Sequence, residues 1–377
     1  MKVGVVGYYG KFNTGDDAMA AVCLTELSRR MPQARLFVPS QPLALPEGVD
    51  VRWQPLARPW QPGFARERRL CEGHCDALVF GGGSVFSDVK GTHALELRHR
   101  RIKTLRARGT RVVALGVGLG PLTTKEGKSA ARDLLQLFDA IVVRDEASLR
   151  LAADLELRNV SLGFDVAVLL EEIGLPQPVA TKPDHGDKKT LGISICDYSQ
   201  YVGRGSDADT LRLKKIVAGL RAHDWAGWRL KLLVLNGHPR VGDLKVAARC
   251  QAALKNSVEC ELALYHPNPL QMLRHVDSCD AVISMRLHGA VYAYVAGRPF
   301  AVLSYHSKCE DFAEMVNLPK SQVIDSETFV PEDLGRMIAR LMTMRAGHEG
   351  LMPLQEARAL AREGLDRVFE VVCGGGG

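Results

Sequence analysis

The chain lacks most features that mark a special environment. No apolar stretch approaches the roughly 20 residues of a membrane-spanning helix. The weakly charged stretch Gly289 to Gly297 runs straight into Arg298 and Pro299, so any membrane association is expected to be peripheral. There is no Lys/Arg block of the kind that forms a nucleic-acid arm, although 49 basic against 43 acidic residues give a net charge of +6. No nucleic-acid partner is expected, and phosphorylated small molecules or a weakly anionic membrane surface account for the surplus. The richest basic run, Arg98-His99-Arg100-Arg101-Ile102-Lys103, reads as a solvated helix face or an anionic-lipid contact. Zinc-site spacing is missing too. Nine cysteines are scattered from Cys23 to Cys373, and Cys71-Glu72-Gly73-His74-Cys75 has no second pair. No metal is expected. Met1-Lys2-Val3-Gly4-Val5-Val6 enters a strand without the parts of a secretory signal. A cytoplasmic location with reduced thiols follows as the expectation.

What is present is the pattern of an α/β protein. At 377 residues, 46% hydrophobic and 24% charged, the chain is long enough for two domains with separate cores. Strand-length apolar runs alternate with helical patterns at Lys2–Val6, Leu36–Val38, Ala77–Phe80, Val112–Leu115 and Ala140–Val143, the signature of a parallel sheet. The pattern dissolves in the polar, proline-rich stretch around Glu171 to Lys189. It restarts at Leu191–Ile195, Leu230–Leu235, Cys260–Leu264, Ala281–Ser284 and Phe300–Ser304, with helices at Pro331–Met344 and Pro353–Val372. We therefore divide the chain into an N-terminal domain (1–172), a linker (173–189), a C-terminal domain (190–350) and a terminal helix (351–373) that packs back on the N-terminal domain.

Met285-Arg286-Leu287-His288-Gly289 follows the run Ala281–Ser284. It sets a fixed cation and a titratable imidazole at a strand-to-helix turn, where unpaired N–H groups and the helix dipole favour anions. Lys308 stands at the next such turn, after Phe300–Ser304. Alone, Arg286 reads as a surface residue and His288 as a satisfied histidine; the repeat at the next turn favours an anion site. In the first domain, glycine-rich turns are expected after three strands, at Gly7–Asp17, at Gly81-Gly82-Gly83-Ser84 and at Gly116–Pro121. Such turns let a ligand approach backbone at the carboxyl ends of strands. The first is neither a dinucleotide fingerprint nor a P-loop, since Gly15 is followed by Asp16-Asp17. Carboxylates there suit sugar hydroxyls, or simply cap a helix. Arg144, ahead of Asp145 and Glu146, is either a surface ion pair or an anion clamp.

Taken in order, Gly7-x2-Gly10-x2-Asn13-x-Gly15-Asp16-Asp17-Ala18, Gly81–Gly83, Gly116–Pro121, Val143-Arg144-Asp145-Glu146-x-Ser148, Phe164-Asp165, Met285–Gly289 and Ser304-Tyr305-x-x-Lys308 resemble the polysaccharide pyruvyl transferase family. The resemblance implies a glycosyltransferase-B-like fold, with two Rossmann-like domains facing a cleft. It implies transfer of a pyruvyl group from phosphoenolpyruvate to two hydroxyls of a sugar on a capsule, exopolysaccharide or cell-wall precursor. It makes His288, Arg144 and Lys308 candidate catalytic residues. Arg286, Gly289, Asn13, Gly15, Asp16, Gly82, Gly83 and Ser84 become candidate substrate contacts. Phosphoenolpyruvate would be a co-substrate, with no cofactor and a lipid-linked oligosaccharide or other saccharide as acceptor at the inner membrane face. After the first strand of the second domain this chain has Cys196-Asp197-Tyr198 where members often carry arginine. Two other readings stand beside it: a glycosyltransferase of the same fold using a nucleotide-sugar donor, and a catalytically silent scaffold.

Overall fold

The computed structural model describes residues 1–54, 75–89, 91–177, 187–198 and 206–374. The chain forms two compact units: Met1–Lys11, Asp16–Pro176 and Gln355–Gly377 make unit 1, Phe12–Gly15 and Gln177–Leu354 make unit 2.

Unit 1 contains β1 (Lys2–Val6), β2 (Arg35–Val38), β3 (Val51–Trp53), β4 (Ala77–Phe86), β5 (Arg111–Leu119), β6 (Ala140–Val143) and β7 (Val160–Leu162). They pair in the order β3-β2-β1-β4-β5-β6-β7, every pairing parallel. The intervening helices are α1 (Thr14–Arg30), α2 (His93–Arg106), α3 (Lys125–Leu135) and α4 (Glu146–Asp154). All four residues of β6 are buried, as expected of a parallel strand covered on both faces. On one face Phe80, Phe86 and Phe138 meet at ring separations of 5.3 to 5.6 Å, at the centre of an apolar cluster that includes Leu95 and Ile102 of α2 and Leu134 of α3.

Of the glycines expected at turns after β4 and β5, Gly81, Gly82, Gly83, Gly116 and Gly118 lie inside those strands, and Gly120 directly follows β5. Gly81 pairs with Leu115, Gly83 with Val117, and Phe86 with Leu119. Their role is close approach rather than reversal. Gly82 has φ +94°, and a Cβ there would lie 2.5 Å from Met19 Sδ of α1. Residue type alone does not separate such a position from a turn, because both favour glycine.

Unit 2 contains β8 (Lys189–Ser194), β9 (Trp228–Leu233), β10 (Cys260–Ala263), β11 (Ala281–Ser284), β12 (Phe300–Ser304) and β13 (Val323–Asp325). They form a parallel sheet ordered β10-β9-β8-β11-β12-β13. Its helices are α5 (Ser206–Arg221), α6 (Leu244–Leu254), α7 (Pro269–Asp277), α8 (Leu287–Val295), α9 (Ser307–Met315) and α10 (Pro331–Thr343). In both sheets the chain starts at the centre, builds outward one way and then the other. That leaves a topological switch point at β1/β4 and another at β8/β11, the place where open α/β sheets bind ligands.

The terminal helix α11 (Leu354–Cys373) joins unit 1. It buries Ala357, Ala361, Gly364, Leu365, Val368 and Val372 at helical spacing. A Cβ on Gly364 or on Gly163 would lie 2.7 or 2.5 Å from Val142 Cγ1, so two bare α-carbons let the helix close on β6. Arg358 donates to Val168 O, and Arg111 to Val372 O. The packing back expected of this helix is present. The boundary between units, Pro176/Gln177, falls inside the expected linker; much of that linker, and Cys71–His74, lie outside the described residues. Phe12–Gly15 departs from the expected division, because it packs with unit 2.

Candidate active site

At the switch point of unit 2, β8 and β11 are joined by hydroxyls. Ser194 and Ser284 Oγ are 2.7 Å apart, Ser284 Oγ donates to Arg286 O at 2.7 Å, and the Arg286 N–H donates to Ser194 Oγ at 3.2 Å. This sharp exit leads into α8, whose first turn crosses the serines so closely that a Cβ on Gly289 would lie 2.2 Å from Ser284 Oγ. Arg286 is the N-cap and gives no side-chain cap, and the first turn of α8 carries no acidic residue. Among the described residues the first turn of α8 thus has neither a side-chain cap nor an acid, and its helix dipole favours an external anion.

The Arg286 guanidinium is gripped by Asp243. Nε lies 3.2 Å from both carboxylate oxygens and Nη2 2.5 Å from Oδ1, a fork that leaves Nη1 outside the pair. Burial works against the Arg286 charge, but the Asp243 carboxylate more than offsets it and holds the guanidinium pKa well above its ordinary value.

His288 sits in the first turn of α8, half-buried, its ring 6.4 Å from that of Tyr292. The segment Phe12–Gly15 presses on it: a Cβ on Gly15 would lie 1.9 Å from His288 Nδ1. That segment is bound along its length. Gly237 N–H donates to Phe12 O, Thr14 N–H to Leu235 O, and Asn13 bridges Asn236 in antiparallel fashion. Tyr292 OH donates to Thr14 O at 3.1 Å. Asn13 and Gly15 therefore belong with His288, while Asp16, expected beside them as a sugar contact, lies in unit 1.

At the end of β12, His306 caps α9 by accepting from the Lys308 N–H at 3.3 Å. Lys308 Nζ lies 5.4 Å from the centre of the Tyr305 ring. Tyr305 packs edge-on against Tyr198, centroids 4.5 Å apart. Cys196, where an arginine was the family expectation, is buried, and desolvation pushes its thiol up to about 12. It is a neutral, inert side chain beside Arg286 and adds no charge to the turn.

Arg144 occupies a different setting in unit 1. Its guanidinium is 3.2 Å from Asp165 and 3.6 Å from Asp145, and Nη2 donates to Ser84 Oγ at 3.0 Å. Both carboxylates are as buried as the arginine. The free anion clamp considered for it is thus supplied with internal anions. Gly82 and Gly83 lie within β4, and a Cβ on Gly83 would reach Asp16 Oδ1 at 3.4 Å. Asp17 closes the loop before α1 by accepting from Gly10 N–H at 2.8 Å. Asp243, Asn236, Thr14 and Tyr292 were not singled out from sequence. The one available signal was Asn236-Gly237 after an apolar run, which marks a turn but not a partner for Arg286. No cluster of three metal-ligating side chains occurs among the described residues.

Two parallel sheets of Rossmann strand order, one with a cationic turn at its switch point, define a glycosyltransferase-B-like α/β protein. Solved structures agree on the fold. UDP-GlcNAc 2-epimerase from Neisseria meningitidis, bound to UDP-GlcNAc, matches with TM-score 0.65 at 12% identity over 98% of this chain and 100% of that one. The Methanocaldococcus jannaschii enzyme, in complex with UDP-GlcNAc and UDP, gives 0.63 at 12% over 98% and 99%. UDP-N-acetylglucosamine 2-epimerase from Rickettsia bellii gives 0.60 at 11% over 99% and 97%. The model of the polysaccharide pyruvyl transferase family matches residues 13–307, and the chain belongs to that family. No helix among the described residues is long and apolar enough to cross a membrane.

Proposed function

We propose that the protein transfers a pyruvyl group from phosphoenolpyruvate to two hydroxyls of one sugar in a polysaccharide precursor, forming a cyclic ketal and releasing phosphate. The observation that carries this reading is the α8 turn of unit 2: Arg286, His288 and an N-terminus without an acid, with Lys308 at the next strand end. Phosphoenolpyruvate bears a carboxylate and a phosphate on three carbons and needs several cations or helix N-termini close together. Its methylene carbon takes a proton, which leaves a cationic centre at the carbon bearing phosphate. One sugar hydroxyl adds there and loses its proton. The carbon–oxygen bond to phosphate then breaks, and the second hydroxyl adds and loses its proton. These transfers need a proton carrier at the donor, and we assign that role to His288 in the first turn of α8. Lys308 and Arg286 hold the donor and its leaving phosphate. In unit 1, Arg144 orders Ser84 and Asp165, and with Asp16 these offer hydrogen bonds suited to sugar hydroxyls. None of these steps calls for a metal or an organic cofactor. We assign the acceptor to a lipid-linked oligosaccharide or other saccharide precursor, used at the inner face of the cytoplasmic membrane.

The test is mass spectrometry of lipid-linked oligosaccharides incubated with the protein and phosphoenolpyruvate, with phosphate measured in parallel. The expected product gains one pyruvate less one water per phosphate released. No gain, with nucleotide release from a sugar nucleotide instead, would replace the reading with a glycosyltransferase.

A further inference from the structure

The Arg286 guanidinium is oriented by the chain itself. Asp243 is 1% exposed and uses both carboxylate oxygens on Arg286. The carboxylate is fixed in turn by the Asn236 N–H at 2.9 Å, while the Asp243 N–H donates to Asn236 O at 2.7 Å. Asn236 is the residue bridged by Asn13, two positions before the Gly15 that packs on His288. The contacts close a ring, Arg286–Asp243–Asn236–Asn13–Gly15–His288, whose two ends stand two residues apart on one turn.

We propose that Asp243 is a positioning residue for phosphoenolpyruvate binding, holding the Arg286 guanidinium so that its Nη1 edge is presented to the donor. This rests on the donor assignment above. The idea can be tested because orientation and charge act in opposite directions. Removing a carboxylate beside an anion site lowers repulsion and by electrostatics alone strengthens anion binding. Releasing the guanidinium from its fork lets it turn among rotamers, so binding weakens.

The experiment is isothermal titration of phosphoenolpyruvate, at fixed ionic strength, into the wild type, Asp243→Asn, Asp243→Glu, Arg286→Ala and the Asp243→Asn/Arg286→Ala double variant. Asp243→Asn should weaken binding by roughly 10-fold or more. Asp243→Glu keeps the charge and displaces the fork, so it should also weaken binding; it serves as the reading if Asp243→Asn does not fold. In the Arg286→Ala background the Asp243→Asn change should have little further effect, which a general structural role would not produce. Unchanged or tighter binding in the single variants, or losses that add in the double variant, overturns the assignment of Asp243 alone. A wild type that fails to bind phosphoenolpyruvate overturns both this assignment and the donor reading.

Discussion

Units 1 and 2 each place an arginine at the end of a buried parallel strand, immediately ahead of a helix, and they treat it oppositely. After β6, Arg144 is closed in by Asp145 and Asp165, and Asp145 also caps α4 by accepting from the Ser148 N–H at 2.7 Å. The anion that a cationic strand end attracts is built into the chain. After β11, among the described residues, Arg286 pairs with the Asp243 carboxylate, and the first turn of α8 carries neither a side-chain cap nor an acid. Arg144 thus meets two buried carboxylates, one of them the cap of the following helix, whereas the carboxylate on Arg286 comes from a distant stretch of the chain.

The largest effect that can break this contrast is on turnover. His288→Ala should fold as the wild type does and lose about 10²–10⁴-fold in kcat, measured by phosphate release; near-normal turnover would remove the imidazole from the chemistry. In unit 1 the large effect should be on stability. Arg144→Met leaves two buried carboxylates without their cation and should cost about 3–5 kcal/mol in denaturant unfolding. A loss under about 1 kcal/mol, the range of surface pairs, would mean that Arg144 is not the structural arginine of the two. Gly289→Ala sharpens the account of the open turn: with Ser284 Oγ 2.2 Å from the new Cβ, the turn must shift, at about 1–3 kcal/mol of stability, and donor affinity should fall with it.

The smallest expected effect is on alkaline stability. Burial is the first cause that pushes Cys196, Cys250 and Cys279 in unit 2, and Cys23 in unit 1, from 9.0 up to about 12. Between those values the unfolded chain has lost thiol protons that the folded chain keeps, so stability falls as pH rises above 9. Burial raises Cys260 of β10 to about 12 as well, and with four such thiols in unit 2 against one in unit 1 among the described residues, hydrogen exchange should show β8–β12 loosening before β4–β6 as pH climbs. The reverse order would count against the burial assigned to these thiols.

The central strands were readable from sequence because parallel strands covered on both faces are unbroken apolar runs, as at Ala140–Val143 and Ala281–Ser284. The edge strands β3, β7 and β13 were not; each has three residues, none makes a long apolar run, and pairing rather than composition defines them. The cationic turn was readable because Arg286, His288 and Gly289 are neighbours in the chain. Asp243 was not, since it meets Arg286 across 43 residues and nothing local to Gly242-Asp243-Leu244 announces the partner. Phe12–Gly15 was read by chain position as part of the first domain. Its backbone bonds to Leu235 and Gly237, which are invisible to residue patterns, join it to the second.

The contrast between the two arginines bears directly on the proposed phosphoenolpyruvate site. Calorimetric titration of phosphoenolpyruvate into the wild type, Arg286→Ala and Asp145→Asn decides it. The account expects binding in the wild type, binding of similar affinity in Asp145→Asn, and loss by at least about 10-fold in Arg286→Ala. Retained affinity in Arg286→Ala, with binding lost or altered in Asp145→Asn, would contradict it.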